Sequence, residues 1–440
     1  MASFNYCLRA VAFALLLLFM AGASPVKAQV STDSNSVNPD RIVDVWATSG
    51  RRYRIVIDEF VPLKAGASAD RNAAELSGRL TSNLMMTGLF DSINPRASLE
   101  ADRRSGVDAN TSPEYQAWSK IGANFLIKGG VTISGSKVTM ELRLFDVGMG
   151  NQMLGKRYSG SLKDSRKMIN QFTNAVLEAI TGTPGVFGSQ IIFVTGNLSK
   201  RSIMMTEFGS DEAVQIAGHR NGPSTQPTMG PGGKTAWVHR NNNKWELLVN
   251  GKVISSGPTH LSPAFTPDGT VAAAYSEPQR TAIYTFGGRS KRTMLAGGGG
   301  INVSPTFSPD GSRMAYVSDQ GGARSIYVTS SSGGTGSRLA TGTDPAWSPT
   351  GEFIAFVTRE TDVCIIRPDG TGFRQLTNGQ GLNMRPSFSP DGRLIVFSST
   401  RGGRSQLYVM SVNGDNPQPI LPGLGMNQEL PYWSPTMPKD

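Results

Sequence analysis

Two cysteines and three histidines in 440 residues leave little material for thiol or soft-metal chemistry. Cys7 lies in an apolar leader, so Cys364 alone remains to the rest of the chain, which excludes an intrachain disulfide and a thiolate zinc site. Cys364 itself stands in an apolar run, Asp362 to Ile366, and reads as a small buried hydrophobe. His219, His239 and His260 are too dispersed for an HExxH zinc helix, and no G-x-S-x-G nucleophile elbow occurs. Long apolar runs are also missing. The one candidate, Val11 to Met20, is too short to span a bilayer, which takes about 20 residues. With Arg9 before it and Val26-Lys27-Ala28 after it, residues 1–28 read as a secretory signal peptide, and the mature chain is expected to begin near Gln29. The formal charge of +10 falls to +8 once Arg9 and Lys27 leave, but the basic residues are scattered in pairs. A sustained basic, aromatic-interleaved patch for nucleic acid is absent, and anionic protein or envelope surfaces fit the charge better.

What the chain has in abundance is glycine, 51 residues, and proline, 26, the composition of a turn-rich β protein. It divides into regions. Residues 29–50 are polar and aperiodic, predicting a flexible segment, interrupted by the strand-capable Arg41-Ile42-Val43-Asp44-Val45-Trp46. Residues 51–183 read as a small α/β domain of mixed sheet with packed helices. Its expected elements are a strand at Tyr53 to Val61, a helix at Ala69 to Leu89 and a short strand near Asp91 to Asn94. A helix at Pro113 to Ile121, strands at Asn124 to Ile133, Lys137 to Val147 and Gln152 to Tyr158, and a helix at Lys163 to Ile180 follow.

Residues 186–440 carry six copies of one unit: QPTMGPGG from Gln226, SPAFTPDG from Ser262, SPTFSPDG from Ser304, DPAWSPTG from Asp344, RPSFSPDG from Arg385 and LPYWSPTM from Leu430. Their first prolines are 36, 42, 40, 41 and 45 residues apart, the period of a four-stranded propeller blade. Each internal copy precedes two strand-like runs. The last copy has none after it, and an unpaired strand pair opens the region at Ile191 to Val194 and Ile203 to Phe208. The phases predict an all-β six-bladed β-propeller closed by its C-terminal strand, which removes free sheet edges. Within the unit, proline is expected to open the inner strand, the aromatic to pack between blades, and Ser-Pro-Asp-Gly to make the turn. A cation site made by Asp268, Asp310 and Asp391 competes with the turn reading, but they lie in separate copies without DxDxDG spacing. Gly232-Gly233-Lys234-Thr235 ends like a phosphate loop, yet Thr228 stands where its first glycine belongs.

Residues just before each repeat proline are expected at one mouth of the channel. The candidates for partner contact are His260, Asn302, Thr343, Asp344, Asn383, Arg385 and Glu429, a polar set of mixed charge suited to a protein loop. A propeller lyase or hydrolase using His260 with channel carboxylates, and a glycan-binding module, are the alternatives.

A small α/β domain followed by six PxFSPDG-type units and a terminal PYWSP resembles the TolB family of envelope proteins. The resemblance implies a monomeric, periplasmic, non-enzymatic component of the Tol-Pal system, without cofactor, acting in outer-membrane integrity and cell division. It implies that the propeller mouth binds the peptidoglycan-associated lipoprotein Pal, which holds the protein at the outer membrane. It further implies that the Arg41 to Trp46 segment binds the C-terminal domain of TolA.

Overall fold

The computed structural model describes residues 28–29, 52–63, 67–107, 110–287, 292–359 and 361–438. The leader up to residue 27 and the Arg41 to Trp46 segment lie outside the described residues.

The first region is built from β1 (Ala28–Gln29), β2 (Tyr53–Ile57), β3 (Val61–Pro62), α1 (Ala67–Met86), β4 (Phe90–Ser92), α2 (Tyr115–Lys120), β5 (Phe125–Ser134), β6 (Lys137–Asp146), β7 (Asn151–Ser161) and α3 (Ser165–Thr181). They form one mixed sheet of order β1-β7-β6-β5-β2-β4, with β3 beside β5. The central strand β2 runs parallel to β4 and β5. Its Ile55, Val56 and Ile57 are all buried because both faces are covered. Ile55 and Ile57 enter the core containing Leu80 and Leu84 of α1 and Phe172 and Val176 of α3, whereas Val56 meets Trp118 of α2. Helix α3 ends at Gly182, whose left-handed φ of 74° lets its N–H reach the Glu178 carbonyl.

The second region contains four separate four-stranded sheets and one of eight strands. The eight-stranded sheet spans residues 260–341. There, two antiparallel meanders are joined by a short parallel bridge pairing Arg280 with Gly300 and Thr281 with Ile301. Gly300, at φ 83°, allows that approach, and Asp319 Oδ1 accepts the Ile301 N–H at 2.7 Å. The chain's last strand, Gln428–Trp433, pairs antiparallel with the region's first, Gln190–Thr195, through Tyr432 with Ile192 and Trp433 with Ile191.

The motif's large apolar residue accounts for the packing order. Phe265 packs with Ala236 and Val238 of the preceding sheet, and Phe307 with Ala272 and Ile283. Trp347 packs with Ala315 and Ile326, Phe388 with Ala355 and Ile365. Met229 takes this role in the first copy, against Ile192 and Val194. Trp433 completes the round against Leu394 and Val396, in a core that also holds Val176, Leu177 and Phe187. The two regions thus share one apolar core. Polar bridges reinforce it: Arg393 donates to Thr181 Oγ1 at 3.0 Å, Asn416 to the Met85 carbonyl at 2.6 Å, and Asp211 meets both Arg79 and Arg166.

Candidate functional site

The innermost strands begin about three residues before their prolines, not at them: His260–Phe265, Asn383–Phe388 and Gln428–Trp433 are examples. Each proline sits inside the strand at a register shift, where the pre-proline residue and proline oppose one residue of the neighbouring strand. At that bulge the pre-proline residue is left-handed in all six copies: Gln226, Ser262, Ser304, Asp344, Arg385 and Leu430 have φ between 48° and 53°. A non-glycine residue in this region is uncommon, and six equivalent ones show that the strain belongs to the architecture.

The bulge places Ser262, Ser304, Asp344 and Arg385 on a cavity of about 470 Å³. The cavity is also lined by Pro231, Pro267, Pro309, Pro349, Pro390 and Pro435, the second prolines of the six copies. Bonds between adjacent inner strands brace its wall. Ser262 N donates to Gln226 Oε1 at 2.8 Å, Trp347 N to Thr306 Oγ1 at 3.3 Å and Trp433 N to Ser387 Oγ at 2.9 Å. Arg385 and Asp344 face each other at 3.8 Å, with side chains 16% and 23% exposed. Neither side chain forms a hydrogen bond with another described residue, so a guanidinium fork and a carboxylate stand in the cavity with capacity to spare.

The residues three places before the proline go elsewhere. His260, Asn302 and Asn383 are buried and do not line the cavity. Asn302 Nδ2 donates to the Thr281 carbonyl at 3.0 Å. Asn383 Nδ2 donates to the Thr361 and Gly381 carbonyls at 2.9 and 3.2 Å, while its Oδ1 accepts from Arg401 at 3.2 Å. Gln428 does the same in the last copy, donating to the Leu421 carbonyl and accepting from Leu407 N. His260 Nε2 lies 2.9 Å from Ser255 Oγ, and burial pulls its pKa down to about 4, which keeps the ring neutral. These four side chains latch their own inner strands to the segments before them. Of the remaining mouth candidates, Thr343 is half-buried and Glu429 is ion-paired with Arg201. The structure therefore brings Asp344 and Arg385 together and separates them from His260, Asn302 and Asn383. Ser262 and Ser304, which the sequence places at the mouth among the residues before each repeat proline but which are not among the residues singled out for partner contact, also line the cavity.

The Ser-Pro-Asp-Gly turns explain their own residues. Asp310 Oδ1 accepts from Ser308 Oγ at 2.5 Å and Ser312 N at 3.0 Å, and these bonds hold its carboxyl down at about 2. Asp391 has the same local bonds, but burial against the first region pushes its carboxyl up. Among the described residues no group of three or more His, Cys, Asp or Glu side chains is arranged to hold a metal ion.

A family model described as the TolB beta propeller domain matches residues 177–437, more than half of the chain. The chain belongs to the TolB family. A second model, the TolB amino-terminal domain, matches residues 42–153. Among similar proteins of the family, the "Tol-Pal system protein TolB" of Desulfosudis oleivorans is 36% identical over 228 residues, covering 50% of each chain. The "Protein TolB homolog" of Chlorobium luteolum is 30% identical over 353 residues, covering 80% of this chain and 63% of that one. The match thus spans about half to two thirds of these relatives' own length. The crystal structure of TolB from Acinetobacter baumannii superposes with a TM-score of 0.74 at 22% identity, covering 88% of this chain and 97% of that chain. That likeness speaks to the fold: a TolB-type α/β region followed by a β-propeller.

Proposed function

We propose that the chain is a periplasmic, non-catalytic scaffold of the Tol-Pal system, acting in outer-membrane integrity and cell division. In this reading residues 1–28 are a cleaved signal, 29–50 a tether, 51–183 the α/β domain and 186–440 the propeller. The eight-stranded sheet counts as two blades, giving six, and the Gln428–Trp433 strand closes the ring. The protein is a monomer held at the outer membrane through Pal, a loop of which enters the channel mouth. Arg41 to Trp46 add as a strand to the TolA C-terminal domain.

The observation that carries this reading is the Arg385–Asp344 pair, set in the cavity with unused hydrogen-bonding capacity. A protein loop supplies carbonyls and N–H groups that satisfy both. Thr343 and Glu429 contribute polar contacts at the rim, and His260, Asn302 and Asn383 act by holding the strands that present them. His260 gives no support to a lyase, because it is buried, neutral and off the cavity. A glycan module would offer its aromatic rings to sugar faces, whereas the repeat aromatics are buried between sheets.

The test is capture of purified Pal by the full chain and by Arg385→Ala and Asp344→Ala. Each substitution removes a charged hydrogen-bonding partner and is expected to weaken capture by about 10- to 100-fold. Unaltered capture refutes the mouth assignment. Removal of residues 41–46 is expected to abolish TolA binding and leave Pal capture measurable; retained TolA binding refutes that half.

A further inference from the structure

The first region carries a second site, reached from its sheet topology. The chain passes from β2 to β4 on one side and then crosses to β5 on the other, all three strands being parallel. Where the direction of connection reverses, the loops leaving the strand ends part and open a crevice outside their carboxyl ends, the place where open α/β sheets bind ligands. In this chain Asp58 immediately follows β2, and Pro95 and Arg96 follow β4. They line a pocket of about 310 Å³ together with Glu59, Phe60, Pro62 and Arg103.

The charges there alternate. On the rim, Arg96 meets Glu59 at 3.2 Å, with side chains 79% and 62% exposed, so this pair is free to exchange partners. Deeper, Arg103 donates to Asp58 Oδ1 at 3.0 Å and to the Pro95 carbonyl at 3.1 Å, leaving its Nε–H without a hydrogen bond to another described residue. Asp58 is buried, yet its Oδ2 accepts no hydrogen bond and has only the Lys128 ammonium at 3.5 Å. Behind it Lys128 and Glu100 form a fully buried pair, and Trp118 underlies both Arg103 and Lys128 with its own Nε1 unpartnered. Asp58, unlike Trp118, lines the pocket, and a buried polar atom without a hydrogen-bond partner is rare in native structures and points to a missing one. Burial raises the Asp58 carboxyl, and a perturbed ionisable group in a cleft marks a candidate functional site.

We propose that this pocket binds a small zwitterion with an apolar body, of dipeptide size, its carboxylate held by Arg96 and Arg103 and its ammonium by Glu59 and Asp58. Such a ligand inserts between two existing ion pairs and leaves the net charge of the site unchanged. Its apolar part lies against Phe60, Pro62 and Pro95. A ligand with a single charge leaves one partner of each pair facing its own sign, which costs affinity. The site is independent of the propeller channel, so its fate and that of the Pal reading are separable.

Isothermal titration of the full chain with L-alanyl-L-alanine tests it, alongside the N-acetylated dipeptide and the dipeptide amide. Saturable one-to-one binding is expected, weakened about tenfold or more by either blocking group. Arg96→Ala and Glu59→Gln, both exposed, are expected to weaken binding similarly while the melting temperature stays at the wild-type value. Absence of saturable heat up to ~20 mM dipeptide overturns the proposal. So does equal binding of the blocked forms, a comparison made on the wild-type chain and independent of how any variant folds.

Discussion

Trp433→Ala is the most informative single perturbation of the fold, because one side chain serves three boundaries. Trp433 is 1% exposed in the terminal strand that pairs with the region's first strand. Its ring lies 4.9 Å from Phe208, which stacks on Phe187, and its Nε1 donates to Ser189 Oγ at 2.8 Å. Truncating a buried Trp costs about 3–5 kcal/mol in transfer and cavity terms, and the lost indole bond adds about 1 kcal/mol. For roughly 400 ordered residues the unfolding entropy makes 1 kcal/mol worth about 1.2 °C, so a fall of about 5–7 °C follows. Trp433→Phe keeps most of the apolar volume and loses the donor, and is expected to fall by about 1–2 °C. Scanning calorimetry reads both. Because Trp433 shares its core with α1 and α3, the wild type and both variants are expected to unfold in one transition. A shift below about 1 °C for Trp433→Ala, or a split in which the α/β transition stays in place, refutes the shared-core account.

Ser304, left-handed at φ 53°, is expected to gain up to about 1 kcal/mol when changed to Gly and to lose at least that as Val; urea midpoints moving in the opposite order refute the strain argument. His260 has a folded-state pKa of about 4 against about 6.5 unfolded, so its contribution is fully present above pH 6.5 and is lost as pH falls toward 4. His260→Gln should flatten the stability loss between pH 7 and pH 4 by about 3 kcal/mol, and an unchanged acid limb in chemical denaturation counts against it. Lys128→Met leaves the Glu100 carboxylate buried without its cation and Asp58 with Arg103 alone, and should cost about 3–5 kcal/mol by urea unfolding, with part recovered in Lys128→Met/Glu100→Gln. A loss below about 1 kcal/mol in the single variant removes the argument for a coupled buried cluster.

Much of this architecture was legible because the repeat is strict. The spacing of the six prolines places every inner strand, and the unmatched strand pair at Ile191 and Ile203 predicts the pairing that Tyr432 and Trp433 make. Helix α3 was visible from its apolar period and the glycine that ends it. What was hidden has a common cause: a polar residue looks the same whether it faces a channel or a neighbouring carbonyl. Asn383 and Arg385 are two places apart, yet one is a buried latch and the other lines the cavity, since a bulge lies between them. The bulge leaves no mark in composition, and proline's usual effect on the residue before it, toward extended backbone, points away from the left-handed geometry adopted. The second pocket was hidden for a different reason. Asp58, Glu100, Arg103 and Lys128 are spread over 70 residues, and only the crossing of the chain from one side of β2 to the other assembles them.

The left-handed position is also where a repeat that is nearly all structure leaves room for side-chain variation. The proline, the aromatic and the turn are fixed by packing, and the latch by the carbonyls it must satisfy. The pre-proline residue shares one backbone geometry in all six copies, and in four of them it lies on the cavity. In this chain they are two serines, an aspartate and an arginine. A change from Arg385 to another side chain therefore alters the charge of the cavity without disturbing the sheets, whereas the equivalent change at Asn383 breaks bonds to two carbonyls. The charged groups that these positions give the cavity are Arg385 and Asp344, which face each other at 3.8 Å.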